Sequence, residues 1–277
     1  MDKEFGQRVF EPINVDTVTE AVVNQLESLV IAGVLKSGQK LPAEREMAEM
    51  MQVSRPKLRD ALKILEDRGL ITSRHGGGTY IAELTVAALS PAMTALFERH
   101  KSAFSDYLEF REEMESFAGF LAAQRATEED REVLRRLIEE MKAAHQEVDP
   151  SREAQIDLAL HTAIVDATHN SMLIHMMASI YEMMSRGVFY NRDFLYSVPE
   201  GRDTLLDQHI ALAQAIIDGD ADKAAAAAGD HLDFVRRSFR RGEETDRHVS
   251  IARKRLAIAE DRVLQPKRRR ISTHRPA

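Results

Sequence analysis

The sequence contains no cysteine, which excludes disulfides and every metal site built on thiolates. It also contains no tryptophan, and only 13 glycines and 8 prolines in 277 residues. With 44% hydrophobic residues, that scarcity of turn-formers excludes a low-complexity or collagen-like chain and favours a folded, mostly helical one. The length allows two domains. No apolar run approaches the roughly 20 residues needed to span a bilayer, and Met1–Phe10 lacks the apolar core of a secretory signal. The expectation is a cytoplasmic protein with no membrane contact. Positive charge is also in deficit, with a formal net charge of −7. Globally this argues against nucleic acid, yet residues 53–75 carry six Lys and Arg against three Asp and Glu, a local net of +3. A basic segment in an acidic chain can hold DNA while the remainder discourages loose association.

That basic segment organises the N-terminal part. Ser54 stands where a hydroxyl caps a helix, Pro56 follows near the first turn, and Leu58, Ala61, Leu62 and Leu65 recur at helical spacing. Arg55, Lys57, Arg59 and Lys63 fall on other faces. Gly69 ends the helix, and Ile71-Thr72 and Tyr80-Ile81 flank Arg74-His75-Gly76-Gly77-Gly78 as a hairpin with a glycine-rich tip. Upstream, Val18, Val22, Leu26, Leu29 and Val30 form one stripe closed by Gly33, and a short helix spans Ala43–Met51. Three short helices and a hairpin over residues 1–84 predict a winged helix-turn-helix, its last helix suited to a major groove.

The residues then carry a resemblance. Leu35, Gly38, Leu41-Pro42, Glu44-Arg45-Glu46, Ala48, Val53-Ser54-Arg55, Arg59, Ala61-Leu62, Leu65, Gly69-Leu70 and Gly76-Gly77-Gly78 match the pattern of GntR-type transcription factors over about seventy residues, with Ser37 where proline is usual. The resemblance implies binding to a double-stranded DNA operator, with Arg45, Arg55 and Arg59 as operator contacts and His75 and Gly76 at the wing tip. The chemistry agrees: an arginine fork pairs with guanine O6 and N7, whereas Ser54, Lys57 and the helix N-terminus suit phosphate. Outside such a motif, each arginine reads as an ordinary solvated helix face.

Residues 85–104 read as a linker that becomes helical. From 105 to 241 helical patterns follow one another with short breaks: Asp106–Ala126, Glu128–Val148 capped by Thr127 with Asp130, Ser151–Thr168, a turn at His169-Asn170, Ser171–Tyr190, a loop over Asn191–Gly201, Arg202–Asp218 and Ala221–Arg241. Six or so antiparallel helices predict an all-α bundle, so the fold class is mainly α. Residues 242–277 read as a modest extra helix followed by a basic, disordered tail at Lys267-Arg268-Arg269-Arg270.

Four bundle positions carry metal-ligand chemistry. Asp157 and His161 lie one helical turn apart, while His209 and His231 stand on two helices of one hairpin. Imidazoles with a carboxylate suit a borderline divalent ion, zinc first, with Ni, Co, Fe or Mn as alternatives. Spacing alone equally fits a helix-surface Asp–His hydrogen bond. The remaining histidines, among them His145, His169 and His175, read as surface or capping groups. Met172, Met176, Met177, Met183 and Met184 read as core or dimer packing.

Residues 105–240 resemble the FCD ligand-binding domain of the FadR subfamily of GntR regulators, near the branch of pyruvate dehydrogenase complex repressors and lactate-responsive regulators. This resemblance implies a metal held by Asp157, His161, His209 and His231 and a homodimer on an inverted-repeat operator. It also implies a small 2-oxo or 2-hydroxy acid effector and, as the default, repression. Arg111 is the candidate clamp for the acid's carboxylate, set against an ordinary salt bridge to Glu115 or Glu112. Two alternatives stay open: sensing of a long-chain acyl-CoA, and a metalloenzyme fused to a DNA-binding domain. The latter lacks an evident general base or nucleophile beside the four ligands, so the reading is not an enzyme.

Overall fold

Val22, Val23, Leu26 and Val30 lie on one stripe, and burying it builds helix α1 (Val18–Ile31). The computed structural model describes residues 18–74, 77–84, 95–97, 99, 102–149, 151–185 and 201–264. Helix α2 (Glu44–Met50) buries Met47 and Ala48. Helix α3 (Arg55–Asp67) buries Leu58, Ala61, Leu62 and Leu65. Full burial of a leucine such as Leu58 contributes about 2 kcal/mol. Strands β1 (Ile71–Arg74) and β2 (Gly78–Ile81) pair antiparallel with Ile71 opposite Ile81, both packed into this core. Lys40 adds a bridge to Tyr80.

One local expectation fails here. Ser54 is the N-cap of α3 in extended backbone, but its hydroxyl makes no cap hydrogen bond. Pro56 in the first turn already removes one orphan donor. The hydroxyl is exposed at the helix end.

The second part is a bundle of α4 (Ser102–Arg125), α5 (Glu128–His145), α6 (Ser151–Asp166), α7 (Ser171–Ser185), α8 (Gly201–Asp218) and α9 (Ala221–Leu264). Thr127 and Asp130 form the anticipated capping box at the start of α5. Helix α4 lies closely along α9. A Cβ on Gly119 would stand 3.0 Å from the carbonyl oxygen of Ala224, and Ala224 and Ala228 are fully buried. The alanine run is thus a tight helix contact. The helix expected to stop at Arg241 and restart instead runs unbroken for 44 residues to Leu264. Its one breaker there is Gly242, and a single glycine costs a helix only about 1 kcal/mol. The methionine stripe divides: Met177 and Met183 are buried, whereas Met172 and Met176 face outward.

The two parts touch through α6 and α7. Gly33, at φ +71°, packs so closely on Ile174 that a Cβ would come within 2.6 Å of its Cγ2. Lys36 Nζ pairs with Asp166 Oδ2 at 3.3 Å, and His175 Nε2 lies 3.2 Å from the carbonyl oxygen of Ile31. A cavity of about 310 Å³ opens between them, walled by Leu35 and Leu84 on one side and Val165, Ile174 and Tyr181 on the other. The linker expected over 85–104 is described only at 95–97, 99 and 102–104. The loop over 191–200 and the basic tail from 265 lie outside the described residues, as do His75 and Gly76.

Candidate functional site

On the winged domain, Arg45, Ser54, Arg55, Lys57 and Arg59 are all exposed. Arg59 is held by Glu44, with Nη2 to Oε2 at 2.9 Å, and Arg45 Nε lies 4.0 Å from Glu49. Such exposed pairs are worth little in water and yield readily to a phosphate or base. Arg55 opens α3 and has no ion pair among the described residues. Arg74 lies over the Tyr80 ring, 4.5 Å from its centroid, beside the wing.

The four metal-ligand candidates meet inside the bundle. Helix α6 carries Asp157 and His161 one turn apart, α8 brings His209 and α9 brings His231. One ligand atom from each lies within 4.8 Å of every other. Ring centroids of His209 and His231 are 4.4 Å apart, and each is 5.3 Å from that of His161. All three histidines are buried and Asp157 is half-buried.

The donor set fits an ion. His209 Nε2 is buried 2.8 Å from Asp157 Oδ1 but makes no hydrogen bond there, as expected where both atoms offer a lone pair. Ligands about 2.1 Å from a shared ion stand at most about 4.2 Å apart, so side-chain shifts of some tenths of an ångström would close the set.

Further groups orient the ligands. Glu115 Oε2 lies 2.7 Å from His161 Nδ1, which leaves His161 Nε2 facing Asp157 at 3.6 Å. Gln208 Oε1 stands 3.3 Å from His231 Nδ1. Carbonyl and carboxylate partners of this kind fix imidazole orientation in metal sites. Arg111 and Glu115, one turn apart on α4, form a buried pair at 2.6 Å. The Arg111 guanidinium carbon also lies 5.7 Å from the Tyr107 ring centroid and 5.8 Å from that of Tyr181.

Electrostatics follow from burial and charge. Burial alone would raise the Glu115 pKa, but Arg111 and His161 overcome it and hold it at about 2. Burial disfavours a charge on His161, but Glu115 and Asp157 outweigh it and lift its pKa to about 9. His231 is pushed well below the ordinary histidine range by burial and by His209 and His161. That favours the neutral imidazole a metal needs, whereas an ion at His161 would have to displace the proton that Glu115 and Asp157 favour there.

The four positions named from the sequence do meet in the bundle, and Arg111 adjoins them through Glu115; the sequence reading placed Glu115 only as a salt-bridge partner, since its second contact, to His161, spans 46 residues and has no local signal. Gln208 and Tyr181 were missed altogether. His145 and His175 were expected in surface or capping roles; His145 cross-links α5 to Glu153 and Asp203 at 2.7 and 2.8 Å, and His175 meets the carbonyl at the end of α1 across the interdomain contact.

Comparison with known proteins places residues 18–81 under the model of bacterial regulatory proteins of the gntR family, and residues 106–234 under that of the FCD domain. A protein of Escherichia coli named for regulation of the L-lactate dehydrogenase operon is 34% identical over 244 residues, covering 85% of this chain and 92% of the relative. The Glc operon transcriptional activator of the same species is 32% identical, covering 84% and 92%. The transcriptional regulator LutR of Bacillus subtilis is 31% identical, covering 73% and 92%. These families and relatives are DNA-binding regulators, not enzymes, which sets aside the metalloenzyme alternative. No helix among the described residues is long and apolar enough to cross a membrane.

Proposed function

We propose, for a chain that belongs to the gntR family of bacterial transcriptional regulators and carries an FCD domain, that it binds an inverted-repeat operator as a homodimer under the control of a small 2-hydroxy or 2-oxo acid. In this reading Asp157, His161, His209 and His231 hold a divalent ion, zinc first. When bound, the ion supplies a Lewis-acidic anchor for the acid. Arg111, fixed through Nε by Glu115, presents its guanidinium to the carboxylate. Arg45, Arg55 and Arg59 read bases; Ser54 and Lys57 grip phosphate; His75 and Gly76 follow the neighbouring groove.

The observation that carries this reading is that Asp157, His161, His209 and His231 each bring a ligand atom within 4.8 Å of the others in the bundle interior. The name of one relative supports the acid: it refers to the L-lactate dehydrogenase operon. Transmission runs along α6 and α7, which carry ligands or their neighbours at one end and Asp166, Ile174 and His175 against the winged domain at the other. The acid shifts DNA affinity only by its unequal affinity for two domain arrangements, typically about 1–3 kcal/mol.

The test is selection of binding sites from random duplex DNA, followed by titration of the selected site with L-lactate, pyruvate and glycolate. The expected result is an inverted repeat whose dissociation constant moves roughly 5- to 150-fold with one acid. An asymmetric site, or no response to any acid, contradicts the reading.

A further inference from the structure

The hydroxyl of Tyr181 is buried without a hydrogen-bond partner, on a side chain only 4% exposed. Buried phenols ordinarily find a partner, and an unmade bond there is costly. The groups around the ring explain the vacancy in chemical terms. The Tyr181 ring centroid is 5.8 Å from the Arg111 guanidinium carbon and 6.1 Å from that of His161. A guanidinium has donors only. Both nitrogens of His161 already face carboxylates, Nδ1 toward Glu115 and Nε2 toward Asp157. Glu115, Asp157 and Tyr107 also stand near enough to act on the phenol, but the hydroxyl bonds to none of them, so it is poised to donate to an acceptor that arrives with a ligand.

The helix that carries Tyr181 adds a second observation. Ile174 and Tyr181 are seven residues apart on α7, two turns on one face. Both line the cavity between the domains, and Ile174 is the side chain that packs on Gly33. Tyr181 therefore forms a wall shared by the ion pocket and the interdomain cavity.

We propose that Tyr181 donates a hydrogen bond to the oxygen on C2 of the bound acid, selecting 2-hydroxy and 2-oxo acids over plain carboxylates, and that α7 carries this contact to the winged domain. This rests on the acid-binding reading above. A site built to hydrogen-bond a ligand oxygen rejects the analogue that lacks it, because its own polar group is then left unpaired.

The experiment uses the full zinc-loaded chain, with calorimetric titration of L-lactate and of propionate, which lacks the C2 oxygen. Tyr181→Phe keeps the ring and removes only the hydroxyl, so a merely packing role predicts no change. The expected result is that Tyr181→Phe weakens L-lactate about tenfold and propionate less than about twofold, collapsing the selectivity roughly five- to tenfold. Without acid, the variant unfolds at the same temperature as the wild type or a higher one, since an unpaired buried hydroxyl is gone. An unaltered selectivity in Tyr181→Phe, or a wild type that binds both acids equally, overturns the proposal and leaves the acid-binding reading standing. A wild type that holds its ion but binds neither acid overturns both.

Discussion

Gly33 of the winged domain and Ile174 of the bundle meet so closely that a single added carbon on the glycine would lie 2.6 Å from Ile174 Cγ2. The glycine is also at φ +71°, where a side chain costs about 1–2 kcal/mol. Replacement by alanine should push the domains apart at this point. Gly33→Ala is expected to bind L-lactate as the wild type does while the acid-dependent change in DNA affinity shrinks severalfold, read by fluorescence anisotropy with and without acid. An undiminished change removes this contact from the route of transmission.

Arg55 should dominate sequence reading. Arg55→Ala is expected to cost about 1–3 kcal/mol on the selected operator and much less on random DNA, with the oligomeric state intact by light scattering. Lys57→Ala should instead weaken both DNAs alike and lower the salt slope of binding by about one. Equal losses on both DNAs for Arg55→Ala would reassign it to phosphate.

Glu115 supports both Arg111 and His161, so Glu115→Gln should act twice. It breaks a buried ion pair by removing the anionic partner of Arg111, a loss of about 3–5 kcal/mol in stability. It also removes the carboxylate that orients His161, lowering zinc affinity by roughly 10- to 100-fold. Denaturant unfolding and competition with a zinc chelator measure the two effects separately.

The capping box of α5 gives a pH dependence with a defined sign. Burial would raise the Asp130 pKa, but hydrogen bonds from Thr127 and His169 outweigh it and lower it. A depressed folded-state pKa contributes stability that is present above the unfolded value, about 3.9, and is lost as pH falls through the folded value. Asp130→Asn should therefore destabilise the protein at pH 7, with cap losses typically about 1 kcal/mol. The difference from the wild type should start to narrow as pH falls below about 4 and close only below the lowered folded-state pKa. Thermal melts across pH 3–7 check it; a constant difference contradicts the assignment.

Much of this architecture is legible from residue patterns because its signals are local. Leu58, Ala61, Leu62 and Leu65 announce α3 and its buried face, Thr127 and Asp130 announce the start of α5, and the Asp157–His161 spacing marks half of the cluster that His209 and His231 complete. Failures occur where local signals are weak or distant packing decides. Gly242 suggests a break that a long helix absorbs. Ser54 occupies a cap position without capping. Tyr181 and Gln208 have no periodic partner in sequence, and only the meeting of α7, α8 and α9 with α4 and α6 gives them a role.

If an ion held by Asp157, His161, His209 and His231 is required for the acid to bind, metal content and acid affinity must fall together. Mass spectrometry of the bound metal with L-lactate calorimetry, on wild type, His209→Ala and chelator-treated wild type, decides it. The expected result is one divalent ion per wild-type chain, with ion and acid binding lost together in His209→Ala. Acid binding to the chelated protein is expected to vanish and to return with zinc. Undiminished lactate binding by folded, metal-free protein would contradict it.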